Sequence, residues 1–266
     1  MLIHPWDRPL DDAEWRSWLA GGRNFGQLVV NGPDGWPVVV PTHFRYRPPA
    51  APARSTGVAG AGGSTGSTGV AGAGGSTGST GVAGAGGAGG SAGGEVLIHL
   101  ARPNPVWRAL ERSPRAVLSV LDDYVFVPGE WRTADGEPAR DGVPTSYYAT
   151  VQLLCDAEIV DDEGGKAAIV NELVAALAPD GPTAPVVPGQ LPFGRLLPGI
   201  RGLRLSVVQA RVKFKYDAKK PVEKMAALSD RLAARGGPRD TAARAHQLRR
   251  VHDRNAYTLA EVDDAL

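Results

Sequence analysis

The sequence predicts a mainly β, α+β fold, a barrel rather than a parallel sheet. Three observations carry this reading. Six or seven short runs rich in Val, Ile and Leu recur along the chain. Turn residues join the first two at hairpin spacing, and helical periods lie beside the strands rather than between every pair of them.

In chain order, Asp11–Gly22 has the period of an amphipathic helix that turns Trp15, Trp18 and Leu19 inward, with Gly21 as its stop. Gly26–Asn31 and Trp36–Phe44 are strands joined at Gly32-Pro-Asp-Gly35, a strong turn signal. Glu95–Leu100, Arg115–Leu121 and Tyr124–Pro128 follow as strands, then another from about Ala149 through Val160. Ala167–Leu177 is helical, with Ile169, Val170, Leu173, Val174 and Leu177 on one side. A Pro-rich loop leads to a long strand near 203–216, where Lys213 and Lys215 share one face and Val212 and Phe214 the other. Pro221 opens a helix to about Ala234, and Asp240 caps a second to about Arg254.

Residues 48–94 are compositionally foreign. Ser-Thr-Gly-Val-Ala-Gly-Ala-Gly-Gly recurs from Ser55, Ser67 and Ser79. Each unit lacks the apolar face that stacking needs, and glycine loses the most entropy on ordering, so the stretch reads as a disordered Gly/Ser/Ala-rich insertion. The hairpin before it is marginal alone. The insertion therefore decorates a loop of one domain made from 1–47 and 95–217, followed by a basic helical extension, 218–266. A partner-binding or tethering role for the repeat stays open.

One cysteine, Cys155, excludes a disulfide framework and a cysteine zinc site, and it reads as a small buried strand residue. His246 and His252 are six apart and do not share a helix face, so no metal site is expected there. No signal peptide or membrane span is apparent, and the expected location is the cytoplasm. No nucleophile–base–orienter triad or paired acid is visible, so any chemistry would come from a cofactor.

Charge is unevenly spread. Residues 201–254 carry 15 Lys and Arg against 5 Asp and Glu, a net +10, which leaves −9 for the rest of a chain whose total is +1. Such a basic third would face nucleic acid, a phosphorylated ligand, or the acidic half of a dimer partner.

The stretch His99–Leu110 suggests an anion site. A strand delivers His99 and Arg102 to a short helix, with Asn104 as its cap and Pro105 at the first helical position. Unpaired amides at such a mouth favour phosphate or carboxylate. The ordinary alternative is a strand–loop–helix with a surface arginine.

Several segments together resemble a known family. They are the His4-Pro5 start, Pro41-Thr42-His43, the His99-Leu-Ala-Arg-Pro-Asn-Pro-Val-Trp107 motif, Val125–Trp131, Val143–Val151 and Ala210–Tyr216. In this order they resemble the PaiB-type FMN-binding negative transcriptional regulators, in the pyridoxamine phosphate oxidase-like group of flavin-binding split barrels. The resemblance covers nearly everything outside the repeat. It implies a Greek-key split β-barrel that forms a homodimer, with FMN as cofactor at the dimer interface. Arg102 and Asn104 would hold the phosphate, with Thr42, His43 and His99 close by. Trp131, Tyr147 and Tyr148 would pack on the ring, Gln152 would bond its polar edge, and Thr145, Lys213 and Lys215 belong to the matching motifs. DNA contact would fall to the basic C-terminal region. The sequence departs from the family pattern at Val127, Ser146-Tyr147, Gln152, Cys155 and Asp217-Ala-Lys219, which removes hydrogen-bonding groups from the ring end. A flavin-dependent oxidoreductase and a split-barrel scaffold that has lost flavin are the alternative functions.

Overall fold

The computed structural model describes residues 1–49, 93–133 and 136–252. Nearly all of the expected insertion, and the end of the C-terminal extension, lie outside the described residues.

The elements are α1 (Asp12–Ala20), β1 (Phe25–Asn31), β2 (Pro37–His43), β3 (Arg45–Arg47), β4 (Glu95–Ala101), α2 (Val106–Arg112), β5 (Arg115–Val127), β6 (Thr145–Val160), α3 (Glu163–Leu177), β7 (Ile200–Lys215), α4 (Val222–Arg235) and α5 (Asp240–His252). The strands form one antiparallel sheet in the order β2-β1-β5-β6-β7-β4-β3. Edge strand β2 also packs against β4 near the opposite edge, so the sheet curls on itself. This is the expected mainly β, α+β fold.

Alternation along the strands fixes the inside. Leu28, Val30, Leu118, Val120, Ala149, Val151, Leu153, Leu205, Val212 and Phe214 fill the core with Trp15 and Trp18 of α1. Asp11 caps α1 by accepting from the Glu14 amide, and Trp15, Trp18 and Leu19 are buried as the period requires. Outside the sheet, α3 packs on β4 and β7 through Leu97, Val160, Ile169 and Leu173. That approach needs Gly202, where a Cβ would lie 2.7 Å from Ile169 Cδ1.

Two elements differ from expectation. The two strands expected over 115–128 are one strand, broken in register by a bulge between Asp122 and Val125. Asp123 takes φ +54° there, so the acidic pair marks a bulge rather than a turn. A short strand, β3, was not legible, because three residues carry no period.

The C-terminal helices fold back onto the barrel. Leu228, Leu232 and Ala243 join the main core, and Gly236 at φ +62° ends α4 in a left-handed cap.

Candidate functional site

The motif residues fall into three groups. The first lies where β2 meets β4. Thr42 is buried and donates to the His43 carbonyl at 3.1 Å, while exposed His43 packs edge-on against Phe25 at 5.0 Å. His99 has its Nδ1 buried with no hydrogen-bond partner among the described residues. Burial, then the charge of His43, lowers the pKa of His99, so these two histidines of β2 and β4 feel each other.

The anion mouth takes a different form from the expected one. α2 has only seven residues, and Pro105, not Asn104, stands at its cap position. Asn104 Oδ1 accepts from the Val106 amide at 3.1 Å, and the Asn104 carbonyl accepts from the Trp107 amide at 3.3 Å. The first helical amides are thus taken internally. Trp107 is core, its indole donating to the Ala101 carbonyl at 2.9 Å. Arg102 is about half exposed; its Nε donates to the Pro198 carbonyl at 2.8 Å, and Nη2 lies 3.4 Å from Asp161. Its side chain remains open to solvent on one side.

The second group shares the outer face of the sheet. Cross-strand register aligns Pro41, Gln27, Ser119, Gln152 and Arg211 in one row, and Tyr148 opposite Lys215 in another. Lys215 Nζ donates to Thr145 Oγ1 at 3.0 Å and lies 5.9 Å from the Tyr148 ring centre. Lys213 is on this face but not open: it donates to the Leu2 carbonyl at 3.0 Å and pairs with Asp7 at 3.4 Å. Burial pushes Asp7 up against the pull of that lysine.

The third group packs against the C-terminal helices. Tyr147 is fully buried, donates to Asp217 Oδ2 at 3.0 Å and accepts from Gln247 Nε2 at 3.2 Å. Trp131 lies under the Arg235 guanidinium at 4.9 Å. The alternation that puts Tyr148 outside puts Tyr147 inside, beneath α5. Both aromatics therefore help dock the C-terminal helices, and Tyr147, fully buried, cannot stack on a ring.

Several arginines of the basic extension are also spent internally. Arg249 and Arg250 pair with Glu14 at 3.0 and 3.2 Å, Arg239 with Asp122 at 3.4 Å, and Arg235 with Asp240. Arg231 donates to the Glu130 carbonyl. Glu14 and Asp122, outside the +10 segment, thus balance part of it within the same chain.

Sequence reading did not single out Asp123 and Arg132, and it gave no pairing role to Asp217 and His246, the polar residues that hold this region together. Arg132 pairs with Asp217 at 3.1 Å, and His246 with Asp123 at 2.9 Å. The interruption of an apolar run by Asp122-Asp123 was the available signal.

Residues 1–209 match the family model described as "Putative FMN-binding domain". The chain belongs to this FMN-binding domain family. Among solved structures it is similar to the flavocytochrome Anf3 from Azotobacter vinelandii, at 16% identity and a TM-score of 0.46, over 78% of this chain and 68% of that one. It is also similar to the FAD and heme binding protein from Mycobacterium smegmatis, at 17% identity and a TM-score of 0.47, over 82% and 78% of the two chains. A conserved hypothetical protein from Mycobacterium tuberculosis gives 14% identity and a TM-score of 0.46, over 83% and 94%. No curated protein matches the sequence.

The residues of the first two groups fit a flavin. The buried Nδ1 of His99, without a partner among the described residues, can take a hydrogen bond from a ligand group, and the half-exposed Arg102 guanidinium just past β4 suits a phosphate. Gln152, Tyr148 and Lys215 supply a polar, aromatic surface on the same sheet.

Proposed function

We propose that this protein is a PaiB-type FMN-binding split barrel that works as a homodimer. The observation that carries the reading is the pairing of the His99–Arg102 end with a separate outer-face group on one chain of an FMN-binding family. Along β7, Gly202 opposite His99 and Lys215 opposite Tyr148 are 13 residues apart, or roughly 40 Å of strand. A second copy facing the sheet brings one chain's β4 end toward the other's Tyr148, Gln152 and Lys215. Phe25, Val39 and Leu121 lie on that face, each at least half exposed, which suits burial against a partner copy.

In this arrangement Arg102 and His99 hold the phosphate end, with Thr42 and His43 beside them. Gln152 and Lys215 address the polar edge of the ring, and Tyr148 covers it. Bound flavin supplies reversible one- and two-electron chemistry. The chain's own residues bind, orient and exclude water.

The regulatory side of this reading runs through association with a partner regulator rather than direct DNA contact. That choice rests on Arg235, Arg239, Arg249 and Arg250 being paired with acids of the same chain. Absorbance spectra before and after FMN addition, with sedimentation to give the mass, test the core of the proposal. A flavin spectrum from a dimer is expected. Arg102→Ala should weaken FMN by about 10- to 100-fold, the loss of a charge-assisted phosphate contact. A monomer that leaves FMN free in solution refutes the reading.

A further inference from the structure

The loop 178–199 packs along α3 on its way to β7 and is pinned at three places. Asn171 of α3 clamps Val186 with both ends of its amide, Nδ2 donating to the carbonyl at 2.9 Å and Oδ1 accepting from the backbone N–H at 2.7 Å. The buried Lys166 ammonium, earlier on α3, donates to the Leu197 carbonyl at 2.8 Å. Arg102 Nε donates to the Pro198 carbonyl, and the Arg102 backbone N–H to that of Gly199. Between the first two pins the loop turns back on itself. The Gly194 N–H donates to the Gln190 carbonyl at 2.8 Å, and a Cβ on Gly194 would collide with the Val187 carbonyl.

The pinned loop leaves a cavity of about 230 Å³ between itself, α3 and His99 of β4. Val170 and Val174 of α3 line one side, and Val186, Phe193 and Leu197 of the loop another. His99 and Thr183 are the only polar side chains on the lining, and no Lys, Arg, Asp or Glu reaches it. His99 Nδ1 is buried with no hydrogen-bond partner among the described residues. Burial lowers the pKa of this ring, so it is neutral at about pH 7 and offers one lone pair. An ion is costly in so apolar a space. Benzene fills an apolar cavity of about 150 Å³ and drug-sized ligands take about 300 Å³ or more, so this volume suits one ring or two fused rings. Phe193 is 38% exposed, which leaves this side open to solvent.

We propose that this cavity binds a small neutral aromatic molecule, one ring or two fused, that carries a single N–H or O–H. The ligand donates to the lone pair of His99 Nδ1, and its ring packs between the valines of α3 and Phe193. The site needs no flavin. Where His99 also serves FMN, the two ligands exclude one another, and that step alone rests on the flavin reading above.

The test titrates the full chain, as purified and again with FMN added, with indole and with benzofuran, which has the same shape but no N–H. Calorimetry should give a saturable indole isotherm with a Kd of about 100 µM, and benzofuran should bind about tenfold more weakly. In ¹⁵N-histidine-labelled protein, indole should move the His99 Nδ1 signal, assigned through His99→Gln, and benzofuran should leave it in place. Val174→Phe fills the cavity and should remove indole binding. Phe193→Ala, at a part-exposed loop position outside the buried clusters, should weaken it about tenfold. The absence of a saturable isotherm, equal affinity for the two probes, or binding untouched by both variants overturns the proposal. A chain that ignores FMN but discriminates indole from benzofuran in this way supports the site and removes only the competition.

Discussion

Asp123 shows how much one side chain does here. Its left-handed backbone is tolerated because aspartate bonds its surroundings in that region. Burial would raise its pKa, but hydrogen bonds from His246 and Trp18 and the charge of Arg23 outweigh this and hold the carboxyl well below the usual range. A lowered folded pKa stabilises the fold above the unfolded value of about 3.9, and that contribution is lost as pH falls through the folded value. Asp123→Ala should cost about 3–5 kcal/mol, since it leaves buried His246 and partly buried Arg23 without their acid. Asp123→Asn keeps the backbone preference and should cost less. Urea midpoints of wild type and Asp123→Asn should keep a constant gap from about pH 6 to about pH 5 and begin to converge only below about pH 4, closing further toward about pH 2; a gap unchanged down to about pH 2 would remove the charge from the argument. Cys155 is the opposite case. Burial, then Asp156, pushes its thiol up to about 12, so it should resist alkylation at about pH 8 until the chain unfolds.

At the scale of elements, periodicity was enough for α1, α3, α4 and most strands, because one face of each is buried against an apolar cluster. It failed where structure depends on contacts distant in sequence. Asp122-Asp123 looks like the end of one strand and the start of another until Trp18 and His246, from opposite ends of the chain, converge on it. The candidate site was legible in the same uneven way. Tyr148, Gln152 and Lys215 lie on the open face as alternation requires, whereas Tyr147 was misassigned because its cover, Gln247, lies 100 residues away. Packing of α3 on β7 offers a direct test. Gly202→Val places a side chain into Ile169 and should cost about 1–3 kcal/mol by thermal unfolding, with a far smaller effect when Ile169→Ala is added.

Across the whole molecule, opposite net charges on two parts of one chain become an internal adhesive. Exposed pairs such as Arg239–Asp122 contribute little singly, but Arg250 and Glu14 are nearly buried and hold α5 to α1. Gel shifts with genomic fragments at low and high salt should show no salt-dependent complex; retention that fades with salt would restore a DNA-binding role to this region. The described helices include none long and apolar enough to cross a membrane.

The pairing of β3 with β4 has a consequence for how this gene can change. Arg47 stands opposite Glu95, joined by an ion pair, so the chain leaves and re-enters the barrel at two neighbouring positions on one ladder. Whatever joins them must close a gap of only about 5 Å. Each doubling of that connection costs only about 0.6 kcal/mol, so gain or loss of whole twelve-residue units falls close to selective neutrality. The barrel therefore carries a port where slippage during replication can write and erase sequence, and where a fluorescent or affinity module could be spliced in without disturbing the strands on either side.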